Sequence, residues 1–280
     1  VVTMLNFQTS LDRDGFVKIP SFVSSSFVSL LQHSVDIAIE TRCSPFFRDL
    51  SDDQDGSFLS DIWSSFFVSK FPVDYIPDQV PFLISTLMRC PSVILLQDTW
   101  FRRTSSCTVS IPWHHDQSIE GPFFSVWISL TDIPFGSSLR FVRGSHKTGL
   151  RYLPSSFFQT DSSNDEVNAM ESFYREFHYS DSPDYQRHFV PIPPDLETND
   201  CYDIVSVPTS SGDIIVFNGL TLHSLPSNNV DTCGFVLRWI SVDSVVSPYS
   251  NDVQIASKFL NVSLNAGHPV NDNFFRKYDF

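Results

Sequence analysis

Phe124-Ser125-Val126-Trp127-Ile128-Ser129-Leu130 is the stretch whose reading decides the fold, because its aromatic and β-branched side chains suit a β-strand. Similar segments lie on either side of it. Val93-Ile94-Leu95-Leu96 is a buried apolar run, Leu139-Arg140-Phe141-Val142 and Ile204-Val205-Ser206-Val207 alternate, and Ile214-Ile215-Val216-Phe217 is apolar throughout. Gly234-Phe235-Val236-Leu237-Arg238-Trp239-Ile240 closes the series. Short strands separated by Gly, Pro and Ser turns predict a mainly β protein, a cupin-like double-sheet jelly roll with flanking helices.

The N-terminal part reads differently. A turn at Asp14-Gly15 opens a short strand, and Ser24 to Ser26 are helix N-cap candidates. Phe27, Leu30, Leu31, Val35 and Ile39 then fall at helical spacing, and a second helix is predicted over 79–89 with Phe82, Leu83, Leu87 and Met88. Residues 51–61 are polar and acidic and predict a loop. The whole of 1–280 is expected to form one domain, with a helical N-terminal part at about 24–90 and a jelly-roll core at about 92–245. Residues 154–201 are polar and aromatic without clear periodicity, which marks a lid-like insertion.

Composition narrows the function classes. A hydrophobic content of 41%, with 27 Phe and 10 Gly in 280 residues, indicates an aromatic-rich globular core. A net charge of −14 argues against nucleic acid and against an anionic membrane surface as partners. No apolar run approaches the ~20 residues of a membrane span. The five cysteines are odd in number and lack CxxC spacing, so neither a disulfide framework nor a zinc ribbon is indicated. The stretch from Val1 shows no signal-peptide pattern, and the expected setting is a cytoplasmic monomer. Between Asp98 and Arg151 the basic residues Arg102, Arg103, Arg140, Arg143, Lys147 and Arg151 outnumber Asp98, Asp116, Glu120 and Asp132. That local excess suits a pocket for anionic ligands, and equally suits solvated strand edges.

Pro112-Trp113-His114-His115-Asp116 carries the chemistry, together with His223 in Leu220-Thr221-Leu222-His223-Ser224. Successive side chains of a strand alternate faces, so His114 and Asp116 point together while His115 points away. Two imidazoles and one carboxylate on one face form the set that non-haem Fe(II) oxygenases use, with coordination positions left open. His223 follows a Gly212-Asp213 turn and an apolar strand, where a third ligand of a jelly-roll metal site would sit. His33, His146, His178, His188 and His268 lack such an arrangement and read as surface or structural residues.

Several motifs resemble the phytanoyl-CoA dioxygenase family. They are Gln97-Asp98-Thr99-Trp100-Phe101-Arg102, Pro112 to Gln117, Ser125 to Leu130, Gly136 to His146 and Gly212 to Phe217, with His223 and Arg238-Trp239 following in order. The resemblance covers roughly 11–245 and implies a double-stranded β-helix, Fe(II) held by His114, Asp116 and His223, and 2-oxoglutarate and O2 as cosubstrates. It also implies that Trp127 lines the cosubstrate pocket and that Arg102 matches a family Lys. Family members carry an arginine a short way past the distal histidine to grip the far carboxylate of 2-oxoglutarate. Here that region reads Asp231-Thr232-Cys233-Gly234, without Arg. Arg238 shares strand parity with Thr232 and Gly234, and its planar fork suits a carboxylate, so Arg238 and Arg102 are the competing anchors.

The expected activity is oxidation of an unactivated C–H bond of a small, carboxylate-bearing metabolite, with hydroxylation as the default and Arg103 and Arg140 as substrate-binding candidates. Oxidative ring closure or desaturation, as on kainoid-like amino-acid-derived compounds, is the alternative within the class. A catalytically inactive jelly-roll binding module is the alternative outside it. A zinc hydrolase is disfavoured because no third histidine or nearby general base is evident, and halogenation because Asp116 occupies the halide position.

Overall fold

The computed structural model describes residues 2–51, 56–68, 72–116, 119–152, 189–227, 229–248, 260–262, 264–270 and 274–280. The chain opens with helix α1 (Val2–Asp14), strand β1 (Phe16–Ile19) and helix α2 (Ser25–Thr41). Strands β2 (Arg48–Asp49) and β3 (Phe58–Ile62), helix α3 (Gln79–Met88) and the long strand β4 (Ser92–Arg103) follow. Then come β5 (Ile111–His114), β6 (Ile119–Glu120), β7 (Phe123–Ser129), β8 (Arg140–Val142), β9 (Ile204–Ser206), β10 (Ile214–Asn218), β11 (His223–Leu225), β12 (Thr232–Ser241), β13 (Val245–Val246) and β14 (Arg276–Asp279). Eight strands form one large antiparallel sheet in the order β1-β10-β7-β12-β4-β3-β2, with β14 also paired to β4. A four-stranded sheet, β5-β11-β8-β9, faces it, and together the two make a double-stranded β-helix.

Period-2 alternation gives the large sheet two different faces. Trp100, Val126, Ile128, Ile214, Val216, Phe235 and Leu237 pack outward in one cluster with Leu31 and Val35 of α2 and Val80, Ile84 and Leu87 of α3. Trp127, Ile215, Phe217 and Val236 point inward and meet Leu139, Phe141, Val207 and Leu225 from the small-sheet side. Phe141 stacks on Phe16 at 4.5 Å between ring centroids. Full burial of each such side chain contributes roughly 1.5–3 kcal/mol of transfer free energy. Helix α2 starts where the sequence signals it, with Ser24 Oγ accepting from the Phe27 N–H at 3.2 Å.

Two elements depart from the sequence reading. Helix α1 was not anticipated, yet Met4, Phe7 and Leu11 have helical spacing and pack on the outer-face core. The turn into β1 depends on Gly15, at φ +87°, where a Cβ would lie 2.4 Å from Thr221 Oγ1. The stretch 51–61, expected as a loop, enters β3 at Phe58, so the region 24–90 is not wholly helical. Asp61 made the stretch look solvated, but its carboxylate is buried and accepts from Ser44 Oγ at 2.7 Å. Of the insertion expected at 154–201, residues 154–188 lie outside the described residues. Its last part folds back with Leu196 buried and Tyr152 bridged to Val190.

Candidate metal centre

His114 ends β5 and His223 begins β11, and the antiparallel register sets the two residues directly opposite each other. Their ring centroids lie 4.1 Å apart. Asp116 follows two residues on, where its backbone N–H donates to Gly219 O at 2.8 Å and docks the loop beside the turn into β11. One ligand atom from each of His114, Asp116 and His223 lies within 4.8 Å of the others. Among the described residues this is the one cluster of three or more His, Cys, Asp or Glu groups able to hold a metal ion.

The protonation states suit a divalent cation. Nδ1 of His114 lies 2.8 Å from Pro112 O and Nδ1 of His223 lies 2.8 Å from Thr221 O. A carbonyl oxygen can only accept, so each Nδ1 carries the proton and each Nε2 presents its lone pair. Burial, and then the neighbouring His223, pushes the His114 imidazole down to about 3. His223 is also lowered, chiefly by burial. Both rings are therefore neutral donors at physiological pH. Burial on its own would raise the Asp116 carboxyl, but the Arg238 guanidinium opposes it and the group is held below the ordinary carboxylate range. Two neutral nitrogens and one carboxylate form a donor set that fits Fe(II).

The surroundings fix Asp116 further. Ser125 Oγ donates to its Oδ2 at 3.1 Å, and Arg238 reaches Oδ1 through Nη2 at 3.4 Å. Nη1 of Arg238 donates to Gln97 Oε1 at 2.6 Å and Thr99 Oγ1 at 3.1 Å. The guanidinium is thus on the inner face, as its parity with Gly234 anticipates, and its N–H groups are directed at the triad's own carboxylate and two polar side chains. His115 is turned away, with Nε2 accepting from the Tyr152 N–H at 2.7 Å. Trp127 is on the inner face, stacked on Phe101 at 6.1 Å and pressed against bare backbone at Gly234, where a Cβ would lie 2.0 Å from its ring.

Two arginine assignments are corrected by strand parity. Arg102 pairs with Cys233, which belongs to the helix-covered core, and its guanidinium forms an ion pair with Asp36 of α2. It therefore lies on the face opposite the triad and is not placed to anchor 2-oxoglutarate. Arg140 pairs with Ser224 rather than His223, so it points out of the small sheet. There it lies over the Trp113 ring at 4.9 Å and forms an ion pair with Glu197 at 2.7 Å, away from any substrate space between the sheets. Arg103, one residue past Arg102, points inward and is 2% exposed. Ser125, Gln97 and Thr99 lie in motifs quoted from the sequence but were given no role at the site there. The alternation that places Trp127 inward also places Ser125 inward, which was the available signal.

The family model for phytanoyl-CoA dioxygenase matches residues 89–229. The fold is shared with the non-heme alpha ketoglutarate dependent carbocyclase SnoK from nogalamycin biosynthesis, at TM-score 0.69 and 14% identity over 97% of this chain and 95% of that one. It is shared with the epimerase SnoN in complex with Fe3+, alpha ketoglutarate and nogalamycin RO, at TM-score 0.68 and 15% identity over 99% of this chain and 98% of that one. HygX from Streptomyces hygroscopicus, with nickel and 2-oxoglutarate bound, aligns at TM-score 0.54 and 15% identity over 85% of this chain and 87% of that one. No curated protein sequence matches this one. The chain belongs to the phytanoyl-CoA dioxygenase family. It is an Fe(II)- and 2-oxoglutarate-dependent dioxygenase, with O2 as its second cosubstrate. No helix among the described residues is long and apolar enough to cross a membrane.

Proposed function

We propose that His114, Asp116 and His223 hold the Fe(II), and that the protein oxidises an unactivated C–H bond of a small, carboxylate-bearing metabolite, with hydroxylation as the outcome. The observation that carries this reading is the convergence of the three ligand atoms within 4.8 Å, with both Nδ1 atoms engaged by backbone carbonyls. Bound iron, 2-oxoglutarate and O2 supply the oxidant. His114 and His223 present neutral Nε2 atoms, and Asp116 supplies the one negative charge. Arg238, Ser125 and Gly219 keep that carboxylate aimed, while Trp127, Phe101 and Phe217 keep the space between the sheets apolar. With Arg102 and Arg140 outside this space, Arg238 is the cation that a substrate carboxylate would meet at the triad.

Ring closure is the second reading for the outcome. Two proteins sharing this fold are named a carbocyclase and an epimerase, so the scaffold is compatible with results other than oxygen insertion. One domain acting as a monomer in a reducing, cytoplasmic setting completes the proposal, and the five free cysteines suit it. The test is O2 uptake and succinate release by the Fe(II)-loaded protein across a panel of small carboxylic acids, with product mass separating hydroxylation (a gain of one oxygen) from ring closure (a loss of two hydrogens). Iron binding without succinate release from any substrate would instead favour the binding module.

A further inference from the structure

Arg103 is a buried cation to which the described residues supply no carboxylate partner. It is 2% exposed on the inner face of β4, opposite Thr232 of β12 and Phe58 of β3. Nη1 donates to Pro226 O at 2.5 Å and Nη2 to Ser137 O at 3.2 Å, and the guanidinium carbon lies 5.8 Å from the Phe58 ring centroid. Among the described residues no carboxylate pairs with it. Burying an unpaired charge is expensive, and guanidinium groups placed this way are ordinarily matched by an anion. Burial alone has already lowered this group to about 10, within the range where it stays protonated at physiological pH.

Its position relative to the triad says which anion. Going down β12, the inward residues Arg238, Val236, Gly234 and Thr232 stand opposite Gln97, Thr99, Phe101 and Arg103 of β4. Arg238 marks the triad level, and Arg103 the far end of the same inner face. On the facing sheet, the Pro226 carbonyl that Arg103 holds comes three residues after His223, roughly 10 Å along an extended strand and within reach of an arginine side chain. Between the two levels lie Phe101, Trp127 and Val236, an apolar sleeve. A polar end at the triad, an apolar middle and a lone guanidinium beyond match a molecule with a chelating 2-oxo acid at one end, methylenes in the middle and a carboxylate at the other. Below Arg238 the inner face of β12 offers only Val236, Gly234 and Thr232, so β12 has no cation of its own for that end.

We propose that the Arg103 guanidinium grips the far carboxylate of 2-oxoglutarate. The proposal rests on the oxygenase reading above and assigns the cosubstrate anchor to β4, leaving Arg238 to Asp116 and the substrate. Calorimetry on the Mn(II)-loaded full chain tests it, comparing 2-oxoglutarate with 2-oxopentanoate, which has the same carbon chain ending in a methyl group. The unaltered protein is expected to prefer 2-oxoglutarate on the order of 100-fold, as for loss of a buried charge-paired hydrogen bond. Arg103→Met is expected to bind both ligands alike, Arg103→Lys to keep part of the preference, and Arg238→Met to keep all of it. If Arg103 only supports the backbone, its variants weaken both ligands equally and the ratio survives, which overturns the proposal. Should Arg103→Met not fold, the Lys variant and a Mn(II)/2-oxoglutarate crystal structure decide; a far carboxylate bound away from Arg103 overturns it. Failure of the unaltered protein to bind either ligand would instead overturn the oxygenase reading itself.

Discussion

Asp116 and Asp61 lie on opposite sides of the large sheet, both in places where water is scarce, and their carboxyl groups are shifted in opposite directions. At the inner side, the Arg238 guanidinium holds the Asp116 carboxyl down against its burial. At the helix-covered side, Asp61 has Ser44 Oγ and the Ile62 N–H on Oδ1, while its Oδ2 has no hydrogen-bond partner. Burial pushes Asp61 up to about 7 there, even though Ser44 pulls the other way and the nearby Asp98 adds to the rise. Asp98 is raised as well, chiefly by burial, despite hydrogen bonds from Ser64 and Ser65. Hydroxyl and amide donors do not offset burial at Asp61 and Asp98, whereas the Arg238 guanidinium does so at Asp116. Asp14 and Asp213, buried elsewhere beside Arg143 and Lys18, are also held low, so among the described residues Asp116 is distinguished by standing with two imidazoles in the candidate metal triad.

The largest expected effect breaks the inner side of this comparison. Asp116→Ala removes the only anion of the triad, and Mn(II) affinity is expected to fall by more than the roughly 10–100-fold seen for outer-shell partners, with 2-oxoglutarate turnover lost. His114→Ala and His223→Ala should behave alike, while His115→Ala should retain metal, because its ring serves Tyr152 instead. Metal titration checks all four. Undiminished Mn(II) binding by Asp116→Ala would remove the triad as the metal site.

Replacing Arg238 sharpens the same side. Asp116 has a depressed folded-state value, so its ionised form is present above the ordinary carboxylate range and is lost only as pH falls well below it. In Arg238→Met, burial is no longer opposed by that guanidinium, so the carboxyl takes up its proton at higher pH. The acid edge of Mn(II) binding is expected to move up by about one pH unit or more, consistent with removal of an adjacent opposite charge. An unmoved edge, measured by Mn(II) titration across pH, would show that Arg238 does not govern Asp116.

These contrasts also show what the sequence could reveal. Strands β4, β7, β10 and β12 were legible because their apolar runs are long and bounded by turn residues. The pairing of His114 with Asp116, and the exclusion of His115, were legible from period-2 alternation within one short segment. Arg102 and Arg103 were not separable in the same way. Neighbouring residues always face opposite sides, but deciding which faces inward needs the register with β12 and β3, a long-range property. Arg140 misled for that reason too, since its distance from the triad in sequence says nothing of its side of β8. The buried carboxylate of Asp61 hid β3, because charge is normally a sign of solvent.

The outer side can be tested through stability. Asp61 has a raised folded-state value, so its contribution is fully present below the unfolded value near 3.8 and is lost as pH rises through about 7. The unaltered protein is therefore expected to melt lower at pH 8 than at pH 5, with Asp61 supplying about 2–3 kcal/mol of the difference, because part of its contribution is already lost between 3.8 and pH 5. Asp61→Asn, which cannot ionise, should narrow that gap without closing it, because Asp98 retains its own dependence. Thermal melts of both proteins at the two pH values measure it. An equal gap in both would mean that Asp61 is already charged in the folded protein.

The smallest expected effect belongs to the residue beside the proposed anchor. Arg102 and Asp36 form a pair in which the side chains are 47% and 52% exposed, and solvent screening leaves little net stabilisation in such a contact. Arg102→Ala is expected to shift stability by no more than about 1 kcal/mol. Its 2-oxoglutarate affinity should be unchanged, since its side chain leaves β4 on the helix side. Arg103, one residue later, is buried on the triad side and gives the opposite expectation. The adjacent pair is thus an internal control: both substitutions remove one positive charge from the same strand, so any long-range electrostatic effect on cosubstrate binding would be similar for the two. A tenfold loss of affinity in Arg102→Ala would mean that net charge, rather than the face of the strand, governs cosubstrate binding.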